Sequence, residues 1–284
     1  MTKNNPTPRF PTSPLRTALL CLLLALSGCA SDYAPAAAPG SAAANQSMKE
    51  RQRIAGEMFR ERCKKSGVFI HRTVEDVEGI FVMKMRPDKI NFGDQYLLDD
   101  PYGSDVTGMG YIELFLKDYY DAWLKISPGN EKTPTDRKGY AYVEAVNPAD
   151  GVRYRYTGSA VEPWQTDKSY LKGYMKFVLE KSPAHGPLPR YAVTYDDIST
   201  KEERDYWIAG SSLKVVDLQT DEVIAERIGY MVDWAQGIRL GGRSPWLLAA
   251  NNACPEFAPQ RGATVQLTQT VRFVNKSLKP KGAK

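Results

Sequence analysis

The sequence predicts an α+β domain in which a few helices pack on an antiparallel sheet. Two segments have alternating apolar residues on either side of a short turn sequence, as β-hairpins do. Two other segments repeat apolar residues at helical spacing. No period of 20 to 50 residues recurs along the chain, which argues against a solenoid or a propeller. One domain around a hairpin-built sheet follows from these patterns.

The first element of this domain is a helix over residues 48–66. Ala55, Phe59 and Cys63 recur at intervals of four, while arginines and glutamates occupy the other positions. This spacing places Cys63 on the buried side of the helix. Gly67 follows the basic last turn and is expected to cap the helix in the left-handed conformation.

Strands and a second helix are expected next. Alternating apolar residues predict a pair of strands within residues 68–85, and apolar residues at three- and four-residue intervals predict a helix over 111–126. Residues 87–110 between them are rich in glycine, aspartate and proline and are expected to form a loop. Their aspartates lack the spacing of a calcium-binding EF-hand loop, so no metal site is predicted.

Most of the sheet is expected in the second half of the chain. Hairpins are predicted over 139–157 and over 213–232, the second of them at the centre of the sheet. Further strands are predicted at 190–195 and, from its alternation, at 264–274. Residues 168–182 fit a helix or a strand.

The amino terminus has the layout of a secretory signal. Lys3, Arg9 and Arg16 precede an apolar run over residues 17–26, and no acidic residue lies among them. About ten apolar residues are too few to cross a bilayer, which needs roughly 20. The run ends in Leu26-Ser27-Gly28-Cys29, which resembles the lipobox of bacterial lipoproteins.

The resemblance implies that the leader is cleaved before Cys29 and that this cysteine receives acyl chains, including palmitate. Several chains would hold the protein firmly on a membrane, since each buried CH₂ contributes about 0.8 kcal/mol. Ala30 and Ser31 lack the aspartate that retains such lipoproteins in the inner membrane. The resemblance therefore implies the bacterial cell envelope, with the outer membrane favoured and the body in the periplasm or at the cell surface.

The chain is thus expected to have four parts. They are a cleaved signal peptide (1–28), a lipidated tether rich in alanine, proline and serine (29–47), a single α+β domain (48–274) and a basic disordered tail (275–284).

Net charge argues against nucleic acid as a partner. The whole chain has a formal charge of +5. The leader holds three basic residues and no acidic one, so 35 basic residues face 33 acidic ones in the rest, a net charge of +2. Domains that bind nucleic acid are usually strongly basic.

The four cysteines divide by location. Cys21 leaves with the leader and Cys29 takes lipid, so Cys63 and Cys254 remain. A disulfide between them is expected in an exported protein, because its compartment is oxidising. A reactive thiol or a metal site is the alternative, although neither cysteine has CxxC spacing or a nearby histidine.

Two groups of residues are candidates for chemistry or binding. Asp196 and Asp197 lie just before the capping-box sequence at 199–203, and paired carboxylates can act as acid and base in glycoside hydrolysis. The alternative is that they complement the positive end of a helix. No cofactor is predicted, and the only histidines, His71 and His185, belong to no recognised catalytic motif.

The second group consists of four tyrosines in the first hairpin. Alternation places Tyr154 and Tyr156 on one side of a strand, and Tyr140 and Tyr142 are expected to stack across from them. Such a side can be a platform for cell-wall glycan or peptide. The alternative, which is favoured, is a sheet face that a helix covers.

Three functions remain open from sequence. The chain is expected to be a lipoprotein with a non-enzymatic accessory or scaffold role that docks another envelope protein. The alternatives are a module that binds peptidoglycan glycan or peptide through the tyrosines, and a carboxylate-dependent envelope hydrolase.

Overall fold

A computed structural model gives the fold. It describes residues 41–85, 108–117, 119–120, 139–164, 166–167, 169, 176–238, 245–256 and 263–282. The helices are α1 (Met48–Cys63), α2 (Gly108–Leu116), α3 (Lys201–Asp205), α4 (Pro245–Ala249) and α5 (Ala263–Ser277). The strands are β1 (Gly67–Ile70), β2 (Val74–Val77), β3 (Gly79–Val82), β4 (Tyr142–Val146), β5 (Arg153–Val161), β6 (Lys176–Pro183), β7 (Tyr191–Asp197), β8 (Ile208–Asp217), β9 (Glu222–Val232), β10 (Ala253–Cys254) and β11 (Leu278–Pro280).

The α+β class is confirmed. The main sheet has the order β1-β9-β8-β7-β3-β4-β5-β6, and β10 pairs with the end of β9. Both predicted hairpins are present, as β4–β5 and β8–β9. The sheet is mixed, because β3 runs parallel to both of its neighbours, β4 and β7.

Contrary to the prediction, the long β8–β9 hairpin does not lie at the centre of the sheet. The order places it near the β1 edge, and β7 and β3 occupy the middle. The reason is that β3 inserts between two strands that follow it much later in the chain. Strand length alone does not report such an insertion.

The expected strand pair within 68–85 is also wrong. Three short strands form there, and each pairs elsewhere: β1 with β9, β2 with β11, and β3 with β4 and β7. Gly67 is not a helix cap but the first residue of β1, opposite Ile228. α1 ends instead at Cys63, with Lys64 in a right-handed conformation.

The last predicted strand is a helix. α5 covers residues 263–277, and its described buried residues, Thr270, Phe273, Val274 and Ser277, have the i, i+3, i+4, i+7 spacing of one helix side. The sequence satisfies both periods, and packing of this helical side on the sheet decides between them. The expected disordered tail is ordered as far as residue 282, because β11 pairs with β2 and Leu278 is fully buried.

The main core lies between one face of the sheet and two helices. α2 and α5 cover this face, with Ile112, Phe115 and Val274 against Tyr195 and Val215, all buried. The opposite face is covered near β9, where α1 packs on Tyr230 and Ile228.

The predicted tether ends earlier than residue 47. Residues 42–45 form a 3-10 turn, Ala43 is 1% exposed within the cluster under α1, and Gln46 accepts a 3.1 Å hydrogen bond from the Tyr206 hydroxyl. These residues therefore belong to the folded body.

The remaining element predictions have mixed outcomes. The helix predicted over 48–66 is present as α1 over Met48–Cys63, and the strand predicted at 190–195 is β7. The helix expected over 111–126 begins at Gly108 and is described to Leu116; its later part lies outside the described residues, as does most of the loop at 87–110. The ambiguous segment is a strand from Lys176 onward.

Within the described residues, we find no helix long and apolar enough to span a bilayer.

Candidate functional site

The disulfide joins the end of α1 to β10. Cys63 and Cys254 are bonded, with their Cα atoms 5.5 Å apart and a sequence separation of 191. α4 precedes Cys254 and brings the chain back along the edge of β9. The predicted bridge is confirmed, and neither cysteine is a free thiol.

The two candidate catalytic aspartates do not face one cleft. Asp196 and Asp197 are neighbours in β7, so their side chains leave opposite faces of the sheet. Asp196 pairs with Lys214 at 2.8 Å, and Asp197 pairs with Arg204. Each carboxylate is already matched by its own cation, and the arrangement of a glycosidase pair is not formed.

The capping box beside these aspartates is confirmed at α3. Thr200 Oγ1 accepts a 3.1 Å hydrogen bond from Glu203 N, and the Glu203 carboxylate accepts one of 2.7 Å from Thr200 N. Glu203 is 1% exposed and also receives a hydrogen bond from Arg62 on α1. The box therefore fixes the carboxylate that links α3 to α1.

We expect Thr200→Ala to lower the free energy of unfolding by about 1 kcal/mol, because it removes one half of the cap. Urea denaturation followed by circular dichroism measures this loss. Thr200→Ser keeps the hydroxyl and should stay close to the wild type. If serine costs as much as alanine, the stabilisation does not come from the cap.

The four tyrosines do not form one platform. Tyr140 and Tyr156 are fully buried, and the Tyr140 hydroxyl donates a 2.7 Å hydrogen bond to the carbonyl of Leu278. In the β4–β5 register, Val143 lies opposite Tyr156, so Tyr142 is on the other face of the sheet. The platform prediction is wrong, because Tyr140 precedes the strand and Tyr142 has the opposite parity.

Other possible chemical groups are dispersed. His71 follows β1 and His185 lies in the β6–β7 connection, and both are exposed. Over the described parts of the chain, no three or more histidine, cysteine, aspartate or glutamate residues are grouped as a metal site. An open depression along α1 has charges of both signs; its lining residues are Glu57, Met58, Arg60, Glu61, Arg62 and Glu203.

A polar cluster with a buried carboxylate lies on the side of β4 and β5 that carries Tyr142, Glu144, Arg153 and Arg155, here called the arginine face. Glu144 is fully buried in β4. Arg155, opposite it in β5, donates to Glu144 Oε1 from Nε at 2.9 Å and from Nη2 at 2.7 Å. Arg153 Nε lies 3.6 Å from Glu144 Oε2. Two guanidinium groups therefore share one buried carboxylate.

An aromatic ring fixes the outer side of this cluster. The Arg155 guanidinium lies over the ring of Tyr142, 4.1 Å from its centroid, within the range of a cation–π contact. The ring occupies space beside Gly79 in β3, where a Cβ would come within 2.3 Å of Tyr142 Cζ. Burial raises the pKa of Tyr142 although Arg155 opposes the shift, so the phenol is neutral at pH 7.

The alternation in β4 and β5 contains the signal for the arginine face. Tyr142 and Glu144 alternate with Val143 and Ala145, just as Arg153 and Arg155 alternate with the tyrosines. Pairing the two strands places the glutamate and the arginines on one face. The pairing of Glu144 with Arg155 depends on the register of the two strands, which the alternation alone does not give.

The chain was also compared with known proteins. No protein-family model matches it, and neither a curated protein nor a solved structure is detectably similar.

Proposed function

We propose that the chain is a bacterial envelope lipoprotein, anchored through acyl chains on Cys29, whose folded body has an accessory, non-enzymatic role. The observation that carries the proposal is the Cys63–Cys254 disulfide. It uses the two cysteines that remain once Cys21 is assigned to the leader and Cys29 to the lipid. A structural disulfide is typical of proteins that fold in an oxidising compartment such as the periplasm.

The accessory role is favoured over hydrolysis by the state of the carboxylates. The side chains of Asp196 and Asp197 lie on opposite faces of the sheet, and each forms an ion pair with a different cation. Glu144 is buried and forms ion pairs with two arginines, so its carboxylate is part of the fold's own contacts.

An exposed edge supports docking of another protein. Val68, Phe69 and Ile70 in β1 are 48%, 43% and 39% exposed, and among the described strands β1 pairs only with β9. An apolar edge strand offers backbone donors and acceptors to an extended segment of a second chain. We therefore place the partner, an envelope protein with an extended strand, at this edge.

Replacing Cys29 tests the anchor. We expect Cys29→Ala to move the protein from the membrane fraction to the soluble fraction, or to leave the leader uncleaved, and to abolish incorporation of labelled palmitate. Cys21→Ala is the matched control, since it removes a cysteine from the same leader and should change neither readout. Palmitate labelling of the Cys29→Ala protein would refute the assignment of the anchor. Density-gradient separation of the two membranes tests the outer-membrane location.

A further inference from the structure

We propose that the arginine face binds the free C-terminal carboxylate of a peptide that ends in an apolar residue. This assignment goes beyond the accessory role and does not depend on the lipid anchor. It follows from the charge of the face, the unused donors of Arg155, their fixed orientation and the exposed apolar residues on the same face.

The first argument is charge. Glu144 supplies one negative charge to two guanidinium groups, so the cluster keeps one positive charge. Two further carboxylates belong to neighbouring segments. Glu180 in β6, opposite Thr157, accepts a 2.9 Å hydrogen bond from Ser159, and Glu78 lies 4.0 Å from Lys281. Neither forms an ion pair with Arg153 or Arg155 among the described contacts, so the cluster still attracts an anion.

The second argument is the geometry of the donors. Arg155 commits Nε and one hydrogen of Nη2 to Glu144 Oε1, and its Nη1 donates to no described residue. A guanidinium has five N–H donors in a planar fork. The Nη1–Nη2 end therefore retains the pair of parallel donors that a carboxylate accepts in bidentate contact. The side chain is 45% exposed, so this end is open to a ligand.

The third argument is orientation. Arg155 is held from one side by a fully buried carboxylate and lies over the ring of Tyr142, which in turn rests beside Gly79. A side chain fixed in this way loses little rotamer freedom when it binds. Glu144 Oε2 is buried and accepts no hydrogen bond, and Arg153 Nε lies 3.6 Å from it. The ion pair between Arg153 and Glu144 is therefore longer than that between Arg155 and Glu144.

The fourth argument identifies the ligand. Val146 follows Glu144 by two positions on the same face and is 44% exposed, and Met83, just beyond β3, is 48% exposed. In the register Val146 lies opposite Arg153, and the two exposed apolar side chains would bury an apolar group attached to the carboxylate. A peptide terminus with an apolar last residue has both parts, whereas an inorganic anion has only the charge.

The experiment measures binding of a labelled peptide to the detergent-solubilised full chain. The probe is a fluorescein-labelled tetrapeptide ending in leucine, with a free carboxylate or an amidated terminus, and fluorescence anisotropy is the readout. We expect the free acid to bind at least about tenfold more tightly than the amide, as loss of a charge-assisted bidentate contact should produce. Arg155→Gln should reduce binding of the free acid to the level of the amide.

The matched control is Lys214→Gln, which removes a positive charge from the same side of the sheet at β8. It should leave binding within about twofold, because a distant surface charge is screened by salt. Arg155→Lys keeps the positive charge but lacks the planar pair of donors. It should weaken binding of the free-acid peptide and leave binding of the amidated peptide unchanged. This variant tests the assignment if Arg155→Gln does not fold.

Any one of several results would overturn the assignment. One is the absence of free-acid binding at about 1 mM peptide, a concentration at which even weak binding is measurable. Another is equal affinity for the free-acid and the amidated peptide. A third is an equal loss of free-acid affinity in the Arg155→Gln and Lys214→Gln variants. Displacement by inorganic phosphate as effective as displacement by the unlabelled acid peptide would show a general anion site and would also reject the peptide terminus.

Discussion

Reduction of the Cys63–Cys254 bond should lower the free energy of unfolding by about 5 kcal/mol, the largest single effect expected in this protein. The bond closes a loop across 191 sequence positions, and a cross-link of that span strongly restricts the unfolded chain. It also fixes the end of α1 against the β10 edge, where Cys254 packs on the cluster under that helix. Urea unfolding with and without a thiol reductant measures the difference.

The double variant Cys63→Ser/Cys254→Ser is the control for this measurement. It should unfold at the urea concentration of the reduced wild type, and addition of reductant should change nothing. A wild-type unfolding curve that does not respond to reductant would contradict the prediction, as would two free thiols in the unreduced protein.

The disulfide illustrates the kind of feature that sequence predicts well here. Four cysteines could be divided by location, and two remained for one bond. The hairpins β4–β5 and β8–β9 were predictable for a related reason: their strands are contiguous, and the turn residues between them mark the reversal. Such features depend on residues that are neighbours in the sequence, as in a hairpin, or on the number of cysteines available for pairing.

Features that depend on distant pairing were missed. β3 lies between β4 and β7 because residues 79–82 pair in parallel with segments about 60 and 110 positions later. Parallel strands are not joined by a tight turn, so no turn sequence indicates that they pair. The tail around Leu278 was missed for the same reason, since its pairing partner is β2.

The helix α5 shows a different limit. Threonines and valines in 264–274 favour a strand by propensity, and the alternation of the segment agrees. The packing of Phe273 and Val274 into the main core overrides that preference. The arginine face combines both limits, because its strands were predicted correctly but the contact between Glu144 and Arg155 required their register.

Asp217→Asn should lower the free energy of unfolding by about 3 kcal/mol at pH 7, since it removes the anion from a buried ion cluster. The carboxylate is fully buried at the end of β8 and accepts hydrogen bonds from Arg190, Arg72 and the backbone of Gln219. These bonds join the end of β8 to the starts of β7 and of the segment after β1. Asparagine leaves both guanidinium groups without their shared charge.

The matched control is Glu222→Gln. Glu222 accepts a 2.9 Å hydrogen bond from the same Arg72 Nη2 but is 48% exposed. An exposed ion pair contributes little, so this variant should lose at most about 1 kcal/mol. Equal losses in the two variants would show that the burial of Asp217 does not matter.

The loss should also depend on pH, with a sign that follows from the pKa of Asp217. Hydrogen bonds from Arg190, and then from Arg72, hold this pKa well below its ordinary value although burial opposes them. The folded state therefore binds the proton less readily than the unfolded chain, in which the pKa is about 3.9. The stabilisation is fully present above that value and is lost as the pH falls below it. Urea unfolding at pH 7 and at pH 3 should accordingly show a smaller difference between wild type and Asp217→Asn at the lower pH; a constant difference would refute the linkage.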